Sequence, residues 1–230
     1  MIGIIGAMAL EVENLVKELD DRKDEQVGGI TFYRGKLCGR EVVLAVCGVG
    51  KCFAAMCAQT MIIRYAPEYV INIGVAGAVC PYLRVGDMAI ARWVVQHDMD
   101  TTALGDPIGL ISGINLVSIP CDEKLSDLIA DCCLELGYRC SAATIASGDQ
   151  FVADLSKKNW IRETFGAIAC EMEGAAIVQA CYQNKVPCGV IRSISDALTG
   201  DGMDFESFKY FAAERSAAVV KLILRDLYDL

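Results

Sequence analysis

The chain has 230 residues, 54% of them hydrophobic and 22% charged, with a net charge of −9. That length can bury a substantial core as one domain. The acidic balance leaves no basic excess to neutralise phosphates, which argues against nucleic acid or an anionic membrane as partner, and no apolar run approaches the roughly 20 residues that span a bilayer.

The opening MIGIIGAMALE has no positively charged lead, and Glu11 breaks its apolar run. An export signal is therefore not expected, and a cytoplasmic location is. Residues 2–6 predict a buried strand, followed by a helix over about 9–20 with Val12, Leu15, Val16 and Leu19 at helical spacing. Residues 30–37 and 41–47 alternate as strands around a Cys38-Gly39 hairpin turn. A helix over 51–65 is stopped by Pro67, and YVINIGVAGA, 69–78, reads as a strand entering a glycine-rich turn.

Another strand covers 88–97, and 100–120 reads as a long loop without periodicity. Helices are expected at 122–137, 154–164, 174–184 and 206–228, alternating with strands at 141–147, 167–172 and 187–194. Alternation of this kind builds an α/β sheet covered by helices on both faces, and the early hairpin makes the sheet mixed. No repeat or linker divides the chain, so a single domain over 1–230 is expected.

The 12 cysteines contain no C-x-x-C pair, and His97 is the only histidine. This pattern suits reduced core thiols better than a zinc site or a Cys–His nucleophile. GIIGAM lacks the spacing of a dinucleotide-binding turn. His97-Asp98-x-Asp100 reads as a loop cap, so no metal or cofactor is expected.

Polar residues gather at the strand exits, where open α/β sheets bind their ligands. GAMALE (6–11) carries Glu11, EME (171–173) carries Glu171 and Glu173, and RSISD (192–196) carries Arg192 and Asp196. GVAGA (74–78) adds free backbone N–H groups. Each carboxylate alone could be a helix-terminal or turn residue. Together they describe a cleft for acid–base chemistry on a polar, hydroxyl-rich small molecule.

IGIIGAMALEVE, NIGVAGA, HDMDTT, ASGDQFV, CEMEGAA and VIRSISD, in this order over nearly the whole chain, resemble the 5'-methylthioadenosine/S-adenosylhomocysteine nucleosidases of the nucleoside phosphorylase superfamily. The resemblance implies an α/β/α sandwich with a mixed twisted sheet, a homodimer, and hydrolysis of an adenine nucleoside thioether. It assigns Glu11 to water activation and Asp196 to protonation of adenine N7. Glu173 would grip the ribose hydroxyls, with Met172 packed on the sugar. Phe151 would stack on the purine and Val152 read its edge through the backbone.

Arg192 and Ser195 would line the water and purine sides, and Met8 and Phe205 the 5'-substituent pocket. Thr101 and Leu104 would reach the neighbouring subunit's pocket. Glu171 is left as a supporting residue. The family often has serine where this chain has Val75, which would leave water placement to Glu11 and Arg192. Three alternatives remain: a phosphorylase on the same fold, a non-catalytic nucleoside binder, and the same hydrolysis with 5'-deoxyadenosine or aminodeoxyfutalosine as main substrate.

Overall fold

A computed structural model describes residues 1–198 and 202–227, the side chains of 202–207 excepted. The strands are β1 (Ile2–Gly6), β2 (Asp20–Val27), β3 (Ile30–Leu37), β4 (Arg40–Val46), β5 (Tyr69–Asn72), β6 (Val75–Ala78), β7 (Met88–Gln96), β8 (Ser118–Pro120), β9 (Cys140–Ser147), β10 (Ala167–Glu171) and β11 (Cys188–Asp196). The helices are α1 (Ala9–Lys17), α2 (Lys51–Tyr65), α3 (Glu123–Glu135), α4 (Leu155–Phe165), α5 (Gly174–Asn184) and α6 (Gly202–Asp226).

The strands form one mixed sheet in the order β2-β3-β4-β1-β5-β11-β6-β10-β9-β7-β8. β1 is buried throughout because it runs parallel between β4 and β5. β7 also returns to pair antiparallel with β11, so the sheet rolls up on itself at the β11-β6-β10-β9-β7 end. One apolar layer joins α2 and α5 to a sheet face through Ala58, Met61, Ile177 and Val178. The opposite layer joins α1, α3 and α6 through Leu15, Ile129, Val220 and Leu224. This is the expected mixed sheet between helical layers.

Local chemistry sets the element ends. Asp122 and Asp154 cap α3 and α4 by accepting from the Leu125 and Lys157 N–H groups at 2.8 and 2.9 Å. α2 closes on Ala66 in the left-handed region, one residue before Pro67.

The structure corrects the sequence reading in four places. α1 stops at Lys17, and the charged run DDRKDEQV is an edge strand pairing only β3 among the described residues. An edge strand faces water on most sides, so it carries no apolar alternation to announce it. The segment 69–78, expected as a strand entering a glycine-rich turn, is two strands parted at Ile73-Gly74, β5 and β6, which lie on opposite sides of β11. The long loop contains a short 3-10 turn (Thr102–Leu104) and the small strand β8. β11 extends through Asp196, and α6 begins before residue 206.

Candidate active site

A cleft of about 270 Å³ opens beyond the carboxyl ends of β1, β10 and β11. Met8, Glu11, Val75, Phe151, Val152, Met172, Glu173, Ser195 and Asp196 line it, so nine sequence candidates meet in one place.

Glu11 enters from the first turn of α1. Its Oε2 accepts from the Ala7 and Met8 N–H groups at 2.7 and 2.9 Å, and its Oε1 accepts from Val75 N–H at 3.3 Å. It therefore caps its own helix and faces the cleft at once. Burial pushes its acid up from the ordinary 4.5, against the pull of those N–H groups and of Arg192. Gly74 makes room for this group, since a Cβ there would lie 2.8 Å from Glu11 Oε1.

The EME segment divides its carboxylates. Glu171 forms a buried ion pair with Arg192, accepts from Ser147 Oγ, and receives the Glu173 and Gly174 N–H groups at 3.1 and 2.8 Å. It caps α5 and supports Arg192. Glu173 is turned away by the non-helical backbone at the start of α5 and accepts from Gly50 N–H at 2.8 Å. Burial, then the neighbouring Glu171 charge, pushes its acid up to about 7.

Arg192 lies behind the cleft wall rather than on it, 1% exposed and bonded to Asn72 and Glu171. Burial weakens its charge, but Glu171, Glu173 and Glu11 outweigh that and hold the guanidinium above its ordinary range. A charge in the middle of a strand has found the partners it requires.

At the other wall, Asp196 Oδ1 accepts from Ser195 Oγ at 3.0 Å and Oδ2 accepts from Lys158 Nζ at 2.9 Å. A Cβ at Gly77 would lie 2.8 Å from Asp196 Oδ2, so the second glycine of GVAGA admits this carboxylate as Gly74 admits Glu11. Lys158 was not among the residues singled out from the sequence. Its signal was its position, three residues before Ile161 on the buried stripe of α4.

Phe151 stands exposed at the cleft mouth. Thr101 and Leu104 lie outside this chain's own cleft, Leu104 being 83% exposed. The Phe205 side chain lies outside the described residues. Asp98 joins two loops, accepting from Lys51 Nζ at 2.6 Å and Asp149 N–H at 2.8 Å, while Asp100 caps the turn at Thr102. The HDMD segment thus organises loops, one of which leads into Phe151.

A helix-covered mixed sheet with a carboxylate-lined cleft at its strand ends defines an α/β enzyme built for acid–base work. The profile of the phosphorylase superfamily matches residues 1–225, and the chain belongs to that superfamily. Within it, the chain is similar to the 5'-methylthioadenosine/S-adenosylhomocysteine nucleosidase of Shewanella loihica, with 39% identity over 98% of this chain and 99% of that one. It is also similar to the aminodeoxyfutalosine nucleosidase of Campylobacter jejuni, with 39% identity over 95% and 96% of the two chains. The S-adenosylhomocysteine nucleosidase from Streptococcus pyogenes, solved in complex with 5-methylthiotubericidin, superposes with a TM-score of 0.93 at 34% identity, covering 98% of this chain and 96% of that one.

Proposed function

We propose that this protein hydrolyses the N-glycosidic bond of 5'-methylthioadenosine and S-adenosylhomocysteine, releasing adenine and the 5-thioribose product. The observation that carries the reading is the convergence of Glu11, Glu173 and Asp196 on one cleft in a chain so similar to nucleosidases. Glu11 positions and deprotonates the attacking water. Glu173 holds the ribose hydroxyls over Met172. Phe151 stacks on the purine beside Val152 and Ser195, and Asp196 conveys a proton to N7. Met8 borders the 5'-substituent.

Glycosidic cleavage develops positive charge on the sugar and negative charge on the purine. Glu11, Glu171, Glu173 and Asp196 face Arg192 and Lys158, and this excess of acidic groups suits the sugar cation. Both of those cations are engaged by carboxylates, and Glu11 occupies the water side. Those features favour water over phosphate as nucleophile.

We further assign the protein to methionine salvage in the cytoplasm, as a homodimer. Its free thiols are consistent with a reducing compartment. Among the described residues, no helix is long and apolar enough to cross a membrane. Val49 lines the cleft and continues into exposed Phe53, Met56 and Ile63 of α2. That apolar run is the face we assign to the second subunit, whose 101–104 segment would complete the pocket. The Campylobacter relative supports a second reading, with aminodeoxyfutalosine as main substrate.

The test is adenine release from methylthioadenosine, with and without phosphate. Phosphate-independent release is expected, whereas a strict phosphate requirement with a sugar-1-phosphate product would overturn hydrolysis. S-adenosylhomocysteine, 5'-deoxyadenosine and aminodeoxyfutalosine, assayed side by side, rank the substrates.

A further inference from the structure

A lysine on the buried face of a helix needs a partner, and Lys158 is 1% exposed. Its Nζ reaches Asp196 Oδ2 at 2.9 Å and the Ala197 carbonyl at 3.2 Å. The Lys158 and Asp196 side chains, 1% and 9% exposed, both line the cleft. In this pairing Nζ is the donor and the carboxylate oxygen the acceptor. The adjacent transferable proton is on the lysine nitrogen.

We propose that Lys158 is the positioning residue and proton reservoir for Asp196, passing a proton from Nζ to the carboxylate, which passes one to the departing purine. The proposal rests on the hydrolytic reading above. As the bond from C1' to N9 breaks, its electron pair goes to the purine. The Nζ proton moves to Asp196 Oδ2, and the carboxyl proton moves to purine N7. The water oxygen bonds to C1' and its proton goes to Glu11. Lys158 is left as a neutral amine and regains a proton from solvent after adenine leaves, while Glu11 releases one.

A lysine can change its proton count in this way, whereas an arginine holds its charge. The pair is faced by Cys170 on β10, whose thiol burial pushes up, and by Lys157 on α4. Glu171 at the end of β10, Glu173 just beyond it, Glu11 of α1 and Arg192 of β11 complete the charged surroundings.

The experiment measures kcat/KM for adenine release by wild type, Lys158→Met and Lys158→Arg between about pH 5 and pH 9, with thermal melts to establish folding. Lys158→Met is expected to lose about 100-fold near pH 8 and less than about tenfold near pH 5, where the higher solvent proton concentration replaces the lysine's supply. Its alkaline limb therefore moves toward acid. Lys158→Arg keeps the charge and the pairing but is expected to stay slow throughout.

A 4-nitrophenyl riboside, whose leaving group departs without a purine proton, is expected to be cleaved by Lys158→Met within about threefold of wild type. A uniform loss at every pH, unchanged activity, or full rescue by Lys158→Arg overturns the proton role. Lys158→Arg decides the matter should Lys158→Met fail to fold. Absence of adenine release by wild type overturns the hydrolytic reading and the relay together. Release by wild type with no pH-dependent defect in the variants overturns the relay alone.

Discussion

The two walls of the cleft hold their carboxylates by different means. Glu11 is fixed by backbone N–H groups of Ala7, Met8 and Val75, whose places are set by the β1–α1 junction and the start of β6. Asp196 is fixed by side chains, the Ser195 hydroxyl and the Lys158 ammonium. Backbone donors cannot titrate, so the Glu11 wall offers constant geometry to a group we propose takes a proton from water. The Asp196 wall sets a lysine ammonium against the carboxylate, which suits the proton-giving role we propose for Asp196. The lesson is that similar carboxylates acquire opposite proposed roles from what faces them.

The sharpest way to break this comparison is to remove one acid at a time. Glu11→Gln and Asp196→Asn are each expected to lower kcat/KM for adenine release by about 10²–10⁴-fold, the usual worth of general acid or base assistance. Both variants should fold, as judged by circular dichroism. Near wild-type turnover in either would remove that wall from the proposed chemistry.

A second substitution reaches the Glu11 wall from behind. Arg192 is buried between the Glu171 pair and the Glu11 charge. Glu171→Gln removes one partner and weakens the α5 cap, leaving a buried guanidinium incompletely matched. We expect a stability loss of about 3–5 kcal/mol, read by denaturant titration. A change below about 0.5 kcal/mol would mean that Glu171 does not support that wall.

The two walls also differ in how far they could be read from the amino-acid order. Glu11, Glu173 and Asp196 were legible because each stands at the end of an apolar strand, where a charge needs a reason. The central strands were legible because their burial leaves continuous apolar runs. β2 was not, since its charged residues face water and its strand state depends on the free edge of β3. The division of 69–78 was hidden because both halves are apolar, and only the choice of neighbours separates them. Lys158 required tertiary structure to be matched with Asp196, 38 residues away along the chain.

Between the walls, Glu173 provides a milder test through pH. Its acid stands at about 7 in the folded protein against an ordinary 4.5, so the folded state binds the proton more tightly than the unfolded chain does. Its contribution to stability is therefore fully present below about pH 4.5 and is lost as pH rises through about 7. Glu173→Gln keeps the neutral form at every pH. The ligand-free wild type should thus lose stability relative to this variant over that window, by on the order of 2 kcal/mol. Parallel stability curves for the two proteins would show that Glu173 is not held in its neutral form.

The smallest expected effect concerns Val75. A serine there would add a hydroxyl beside Glu11 while keeping the backbone N–H that already donates to Oε1 at 3.3 Å. Because Val75 is only half-buried, the lost methyl groups cost little packing. If the backbone donors are what position Glu11, Val75→Ser should change kcat/KM by less than about threefold, or under about 1 kcal/mol of barrier. A tenfold gain would instead show that the water side was limited by a missing hydroxyl. The backbone-held wall would then be an incomplete version of its own design, and the contrast with the Lys158 wall would narrow to the source of the proton.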